Sequence, residues 1–140
     1  MGMRILIDTN VLLDYLLSRE PFFAASRKIV EACAKEEVSG CIAAHSISNM
    51  FYIMRKAFGT QERRKLLAGL CDLFDVEGID KAKIMDALQN EDFADFEDCL
   101  QSECAIVYRA DYIVTRNCDD FKGSQVPTME PEQFCALLQE

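Results

Sequence analysis

A length of 140 residues, half of them apolar, fits one domain over 1–140 with a single sizeable core. The net charge of −9 excludes a protein that coats nucleic acid by bulk electrostatics, so any nucleic-acid role has to be local. The seven cysteines are odd in number, form no Cys-x-x-Cys pair and sit mostly among apolar neighbours, which excludes a disulfide frame; with His45 as the lone histidine, a zinc site is excluded too.

The chain opens on Arg4-Ile5-Leu6-Ile7, an apolar run of strand length that ends on Asp8. A strand ending on a carboxylate puts a charge at the carboxyl edge of a sheet, where open α/β folds bind ligands. The competing reading is an Asp that caps the short helix Val11 to Leu17. A helix follows over Ala24 to Glu36, then a second strand at Cys41-Ile42-Ala43-Ala44. His45-Ser46 is expected to cap the next helix, whose stripe Ile47, Met50, Phe51, Met54 and Phe58 belongs to the core, with Gly59 as its stop. A fourth helix runs from Gln61 to Leu73 with Leu66, Leu67, Leu70 and Cys71 inward, and Phe74 to Val76 is a short strand. Helices over Lys81 to Gln89 and Asp95 to about Val107, a strand Tyr112 to Thr115 and a last helix opened by Pro131 complete the pattern. Alternating strands and helices predict a mostly parallel sheet covered on both faces.

No segment has the layout of a signal peptide, and no apolar run approaches the roughly 20 residues that span a bilayer. The expectation is a soluble, cytoplasmic protein without a membrane partner. The basic residues cluster as Arg55-Lys56, Arg63-Arg64-Lys65, Arg109, Arg116 and Lys122, which reads as a solvated face or as a local binding surface.

Three separate segments deliver acids to what the pattern makes one sheet edge: Asp8, the pair Asp95 and Asp98 at the start of a helix, and Asn117, Asp119 and Asp120 after a strand. A hard cation such as Mg²⁺ or Mn²⁺ accounts for such a convergence, because it takes oxygen ligands, keeps several waters and is commonly held by one or two carboxylates. The alternative for Asp95 and Asp98 is local, since acids in a first helical turn favour the macrodipole and cap free N–H groups.

Taken together, Ile7-Asp8-Thr9-Asn10-Val11-Leu12-Leu13-Asp14, Asp95-Phe96-Glu97-Asp98-Cys99-Leu100-Gln101 and Tyr112-Ile113-Val114-Thr115-Arg116-Asn117-Cys118-Asp119-Asp120-Phe121-Lys122-Gly123 resemble the PIN-domain ribonucleases in order and spacing. Pro131-Glu132-Gln133-Phe134 resembles the start of that family's last helix. The resemblance implies an α/β/α fold with a parallel sheet of about five strands, cleavage of RNA with Mg²⁺ or Mn²⁺ and, for many bacterial members, the toxin role in a toxin–antitoxin pair.

Carried over by position, Asp8 matches the first acidic metal ligand, Asp98 the acid that opens the late helix, and Thr115 the hydroxyl residue beside the site. At two usually acidic positions this chain has Asn49 and Asn117, which offer a carbonyl oxygen but no charge. Asp95 and Asp120 are the nearest acids to compensate, with Asn10 in support. Arg116, Arg55 and Lys56 are candidates for steering the RNA backbone, and apolar residues of the Met50 to Phe58 and Leu66 to Phe74 helices for a homodimer face.

The function expected is a metal-dependent endoribonuclease acting on single-stranded RNA, with an antitoxin as possible partner. A degenerate RNA- or partner-binding module of the same fold is the alternative. A haloacid-dehalogenase-type phosphotransferase ranks lower, because Asn10 stands where that motif needs a second Asp.

Overall fold

The computed structural model describes residues 2–139. Five parallel strands form the sheet: β1 (Met3–Ile7), β2 (Val38–Ala43), β3 (Asp75–Glu77), β4 (Tyr112–Val114) and β5 (Thr128–Met129). Their order is β3-β2-β1-β4-β5, all neighbours parallel. Seven helices connect them: α1 (Thr9–Leu16), α2 (Phe23–Ala34), α3 (Ala44–Ile53), α4 (Thr60–Leu73), α5 (Lys81–Gln89), α6 (Phe96–Tyr108) and α7 (Pro131–Leu138).

The two-residue period of a strand sorts the core into two layers. Ile5 and Ile7 of β1, Ile42 of β2 and Val114 of β4 face one side, where α1, α2, α3, α4 and α7 bring Leu12, Ile29, Met50, Leu67 and Phe134. Leu6, Cys41, Ala43 and Ile113 point the other way, against Cys104, Ala105 and Tyr108 of α6. A smaller cluster of Ala87, Cys99 and Leu100 ties α5 to α6. Strands buried on both faces read as continuous apolar runs, which is why β1 is visible in the sequence. Gly40 of β2 leaves room for the core: a Cβ there would lie 2.7 Å from the Phe74 ring and 2.8 Å from the Cys33 sulfur.

Several expected boundaries move. Ala43, not His45-Ser46, is the N-cap of α3, and Ser46 lies fully buried within the helix, accepting a hydrogen bond from the Thr9 hydroxyl at 2.7 Å. Gly59 does not stop α3. That helix ends at Ile53 and tightens into a 3₁₀ turn over Met54–Lys56, while Gly59 caps the start of α4. Cys71 is exposed rather than inward. The last strand, β5, has two residues, too few to carry a period.

All seven cysteines are free. Burial pushes the thiols of Cys33, Cys41 and Cys104 up to about 12, so they are unreactive core side chains. Among the described residues no helix is long and apolar enough to cross a membrane.

The strand order fixes where a site can form. From β1 the chain winds outward to β2 and β3, then crosses to the opposite side of β1 for β4 and β5. Such a reversal opens a crevice at the carboxyl ends of β1 and β4, which is where α/β sheets bind ligands. Asp8 follows β1 and Thr115 follows β4, and the register Ile7 to Val114 sets them side by side.

Candidate active site

An open cleft of about 520 Å³ occupies that crevice. Asp8 and Asn10 line it from the β1 end, His45 and Asn49 from α3, Asp95, Glu97, Asp98 and Gln101 from α6, and Asn117 and Asp120 from the segment after β4.

Asp8 is 4 % exposed and has extended backbone at the N-cap of α1, yet its carboxylate makes no capping hydrogen bond. Both oxygens are held from elsewhere: Gln101 Nε2 donates to Oδ1 at 2.9 Å and Thr115 Oγ1 to Oδ2 at 2.9 Å. The Asn117 amide in turn donates to Thr115 Oγ1 at 3.0 Å. Burial raises the Asp8 carboxyl above its ordinary value, and the bonds from Gln101 and Thr115 oppose that rise. Asp95, unlike Asp8, does cap its helix. Its Oδ1 accepts from the Asp98 amide at 2.9 Å, so it caps α6 and borders the cleft at once.

Asp98 is perturbed as well. Partial burial and the neighbouring charges of Asp95, Asp8, Asp120 and Glu97 push it up to about 7. Five carboxylates share this cleft, with no Lys or Arg among its described lining residues. The donors are hard oxygens, with Gln101 Oε1 buried and unpartnered among them, and that set fits Mg²⁺ or Mn²⁺. Among the described residues no three His, Cys, Asp or Glu side chains enclose a point by themselves, so an ion here would keep much of its water.

Across the cleft, Asn49 Nδ2 donates to Glu97 Oε2 at 3.0 Å and His45 Nε2 lies 3.1 Å from the Glu97 carbonyl oxygen. A carbonyl only accepts, so this nitrogen carries the proton, and burial holds the ring's pKa below its usual value. Asn49 thus meets an acid supplied by the opposite helix.

The structure does not bring every candidate to this cleft. Arg116 turns away from it: Nε and Nη2 donate to Asp14 Oδ2 and Oδ1 at 2.7 and 3.2 Å, and its guanidinium stacks 3.9 Å above the Phe22 ring. What this side chain holds is the buried Asp14. Arg55 and Lys56 line a separate trough with Leu17 and Arg19. Gln101 and Glu97 were not singled out by sequence reasoning. The available signal was spacing, since Gln101 follows Asp98 by three positions on one helix face.

A parallel α/β sheet with clustered acids in the crevice at its strand-order reversal defines the class. Within that class, residues 4–119 match the PIN domain, and the chain belongs to the PIN-domain family. With the family established, the haloacid-dehalogenase reading is dropped. The chain is similar in structure to VapBC2 from Rickettsia felis bound to a DNA fragment from their promoter, with a TM-score of 0.68 and 18 % identity over 91 % of this chain and 98 % of that one. A toxin–antitoxin complex from Klebsiella pneumoniae gives 0.67 and 24 % over 91 % and 97 %, and VapBC-1 from nontypeable Haemophilus influenzae gives 0.66 and 13 % over 93 % and 99 %. At these identities the likeness is one of fold. Comparison with curated protein sequences finds no match.

Proposed function

We propose that this PIN-domain protein is a metal-dependent endoribonuclease acting on single-stranded RNA, and the toxin of a toxin–antitoxin pair. The observation that carries the reading is the convergence of Asp8 and Asp98 in the crevice between β1 and β4, with Asp98 driven up to about 7 by partial burial and by the acids around it. Asp8 and Asp98 would hold the ion, with Asp95 or Asp120 in support. When bound, a divalent ion orients water, lowers its pKa and neutralises charge that develops on the phosphate. Gln101 and Thr115 keep both Asp8 oxygens fixed, so the first ligand has one orientation before any ion arrives. The structural likeness to toxin–antitoxin complexes supports a protein partner, and the exposed Ile53 and Leu73 of α3 and α4 support a homodimer face.

The test is a labelled RNA pool incubated with Mn²⁺. Cleavage is expected from the wild type, none with chelator and none from Asp8→Ala. Equal cleavage by wild type and Asp8→Ala sinks the catalytic reading. Binding without cleavage by either promotes the second reading, a non-catalytic RNA- or partner-binding module. That reading is favoured by the uncharged Asn49 and Asn117 and by the open spacing of the acids.

A further inference from the structure

The charge of this chain is unevenly placed. Residues 38–71 contain Arg55, Lys56, Arg63, Arg64 and Lys65 against the single acid Glu62, a local balance of 5 − 1 = +4 in a chain of net charge −9. Among the described residues none of these five cations is in an ion pair. Two of them, Arg55 and Lys56, line the trough that adjoins the acidic cleft, and Ile53 borders both cavities. At the rim between them stands Tyr52, 63 % exposed and lining the acidic cleft. Against its ring the Arg55 guanidinium lies 3.7 Å from the centroid and donates to the Tyr52 carbonyl oxygen at 2.9 Å.

We propose that Tyr52 is the platform on which a base of single-stranded RNA stacks as the strand passes from the acidic cleft into the trough, with Arg55 and Lys56 on its phosphates. The proposal rests on the ribonuclease reading for the identity of the ligand. An acidic cleft repels a polyanion, so a strand that enters it needs compensating cations close by, and here they lie on the far side of one exposed aromatic ring. An aromatic platform beside a cationic groove is the arrangement that holds single strands with little regard to sequence, because every base has a π face. The guanidinium fixes the ring before a base arrives, which lowers the ordering cost of binding.

The test uses a short oligoribonucleotide carrying 2-aminopurine, titrated with full-length protein in chelator at low salt, where the strand stays intact. Wild type is expected to quench the fluorescence. Tyr52→Ala should bind about tenfold more weakly and lose the quenching, while Tyr52→Phe, which keeps the ring, should retain both. Arg55→Ala should reduce the slope of log affinity against log salt by about 0.7, one single-strand phosphate contact. Absence of quenching by the wild type, or unchanged binding and quenching by Tyr52→Ala, overturns the proposal. So does a Tyr52→Ala protein whose only change is a shift from dimer to monomer in sedimentation, which would assign the ring to a second copy of the chain. No metal is present in the titration, so a wild type that fails to cleave RNA in Mn²⁺ would end the nuclease reading without touching this result.

Discussion

Asp14 sits 1 % exposed in α1, and its charge is balanced chiefly by the two-pronged contact from Arg116, with Arg19 at 3.6 Å as a weaker second partner. Removing one side of a buried ion pair leaves an uncompensated charge in a poor dielectric, which costs about 3–5 kcal/mol. Arg116→Met is therefore expected to lower the unfolding free energy in urea by about 3 kcal/mol. A surface arginine whose only partner is RNA would cost next to nothing on substitution, so the denaturation curve separates the two roles. Position 116 illustrates what one-dimensional reading misses, because its partner lies 102 residues earlier, in a helix where Asp14 looks like any solvated acid. Asp8 was legible for the opposite reason: an apolar run that stops on a carboxylate is a local event.

At the scale of elements, β2 passes between Cys33 of α2 and Phe74, the residue that ends α4, with no space to spare. Gly40 meets the Phe74 ring and the Cys33 sulfur at distances no real Cβ tolerates, and both neighbours are buried. Gly40→Ala should destabilise the protein by about 1–3 kcal/mol, the usual cost of overpacking, even though alanine is the better residue for an ordinary extended backbone. Thermal melting of the variant checks this, and an unchanged melting temperature would mean that Phe74 moves aside freely. Helices α2, α4, α5 and α6 were readable from their apolar periodicity to within a few residues. The α3–α4 junction was not. The stripe through Met54 and Phe58 continues at helical spacing across a 3₁₀ turn, and both residues still reach the core, so the pattern survives a break in the helix that carries it.

For the whole molecule, the burial and crowding of acids link stability to pH. Asp98 titrates near 7 when folded and near its ordinary 3.8 when unfolded, so the folded state keeps a proton that the unfolded chain has lost. Stability therefore falls as pH rises between those two values, and above about 7 the full penalty is present. For a half-exposed group the effect after solvent screening is about 1–2 kcal/mol. Asp8 acts in the same direction, while His45, whose pKa is lowered by burial, loses stability as pH falls through its ordinary 6.5. The clean measurement is the difference between wild type and Asp98→Asn in chelator: the variant should be the more stable at pH 8 and show no advantage at pH 4. Millimolar Mn²⁺ should raise the wild-type melting temperature at pH 8, far less at pH 5, and not at all in Asp98→Asn. The parallel sheet between helices followed from the alternation of patterns, but the strand order did not, since periodicity says nothing about which strand lies beside which.

The two side chains that grip Asp8 come from 93 and 107 residues further along the chain. A ribosome therefore releases Asp8 well before the groups that orient it, which come only with α6 and the end of β4. Under the proposed function, a growing chain carries no assembled cutting centre while it is still attached to the machinery that decodes RNA. Under the same function, a product cut off before β4 would carry Asp8 without Thr115 and leave RNA uncut. Under that function, activity is acquired only when both distant grips on Asp8 have been made.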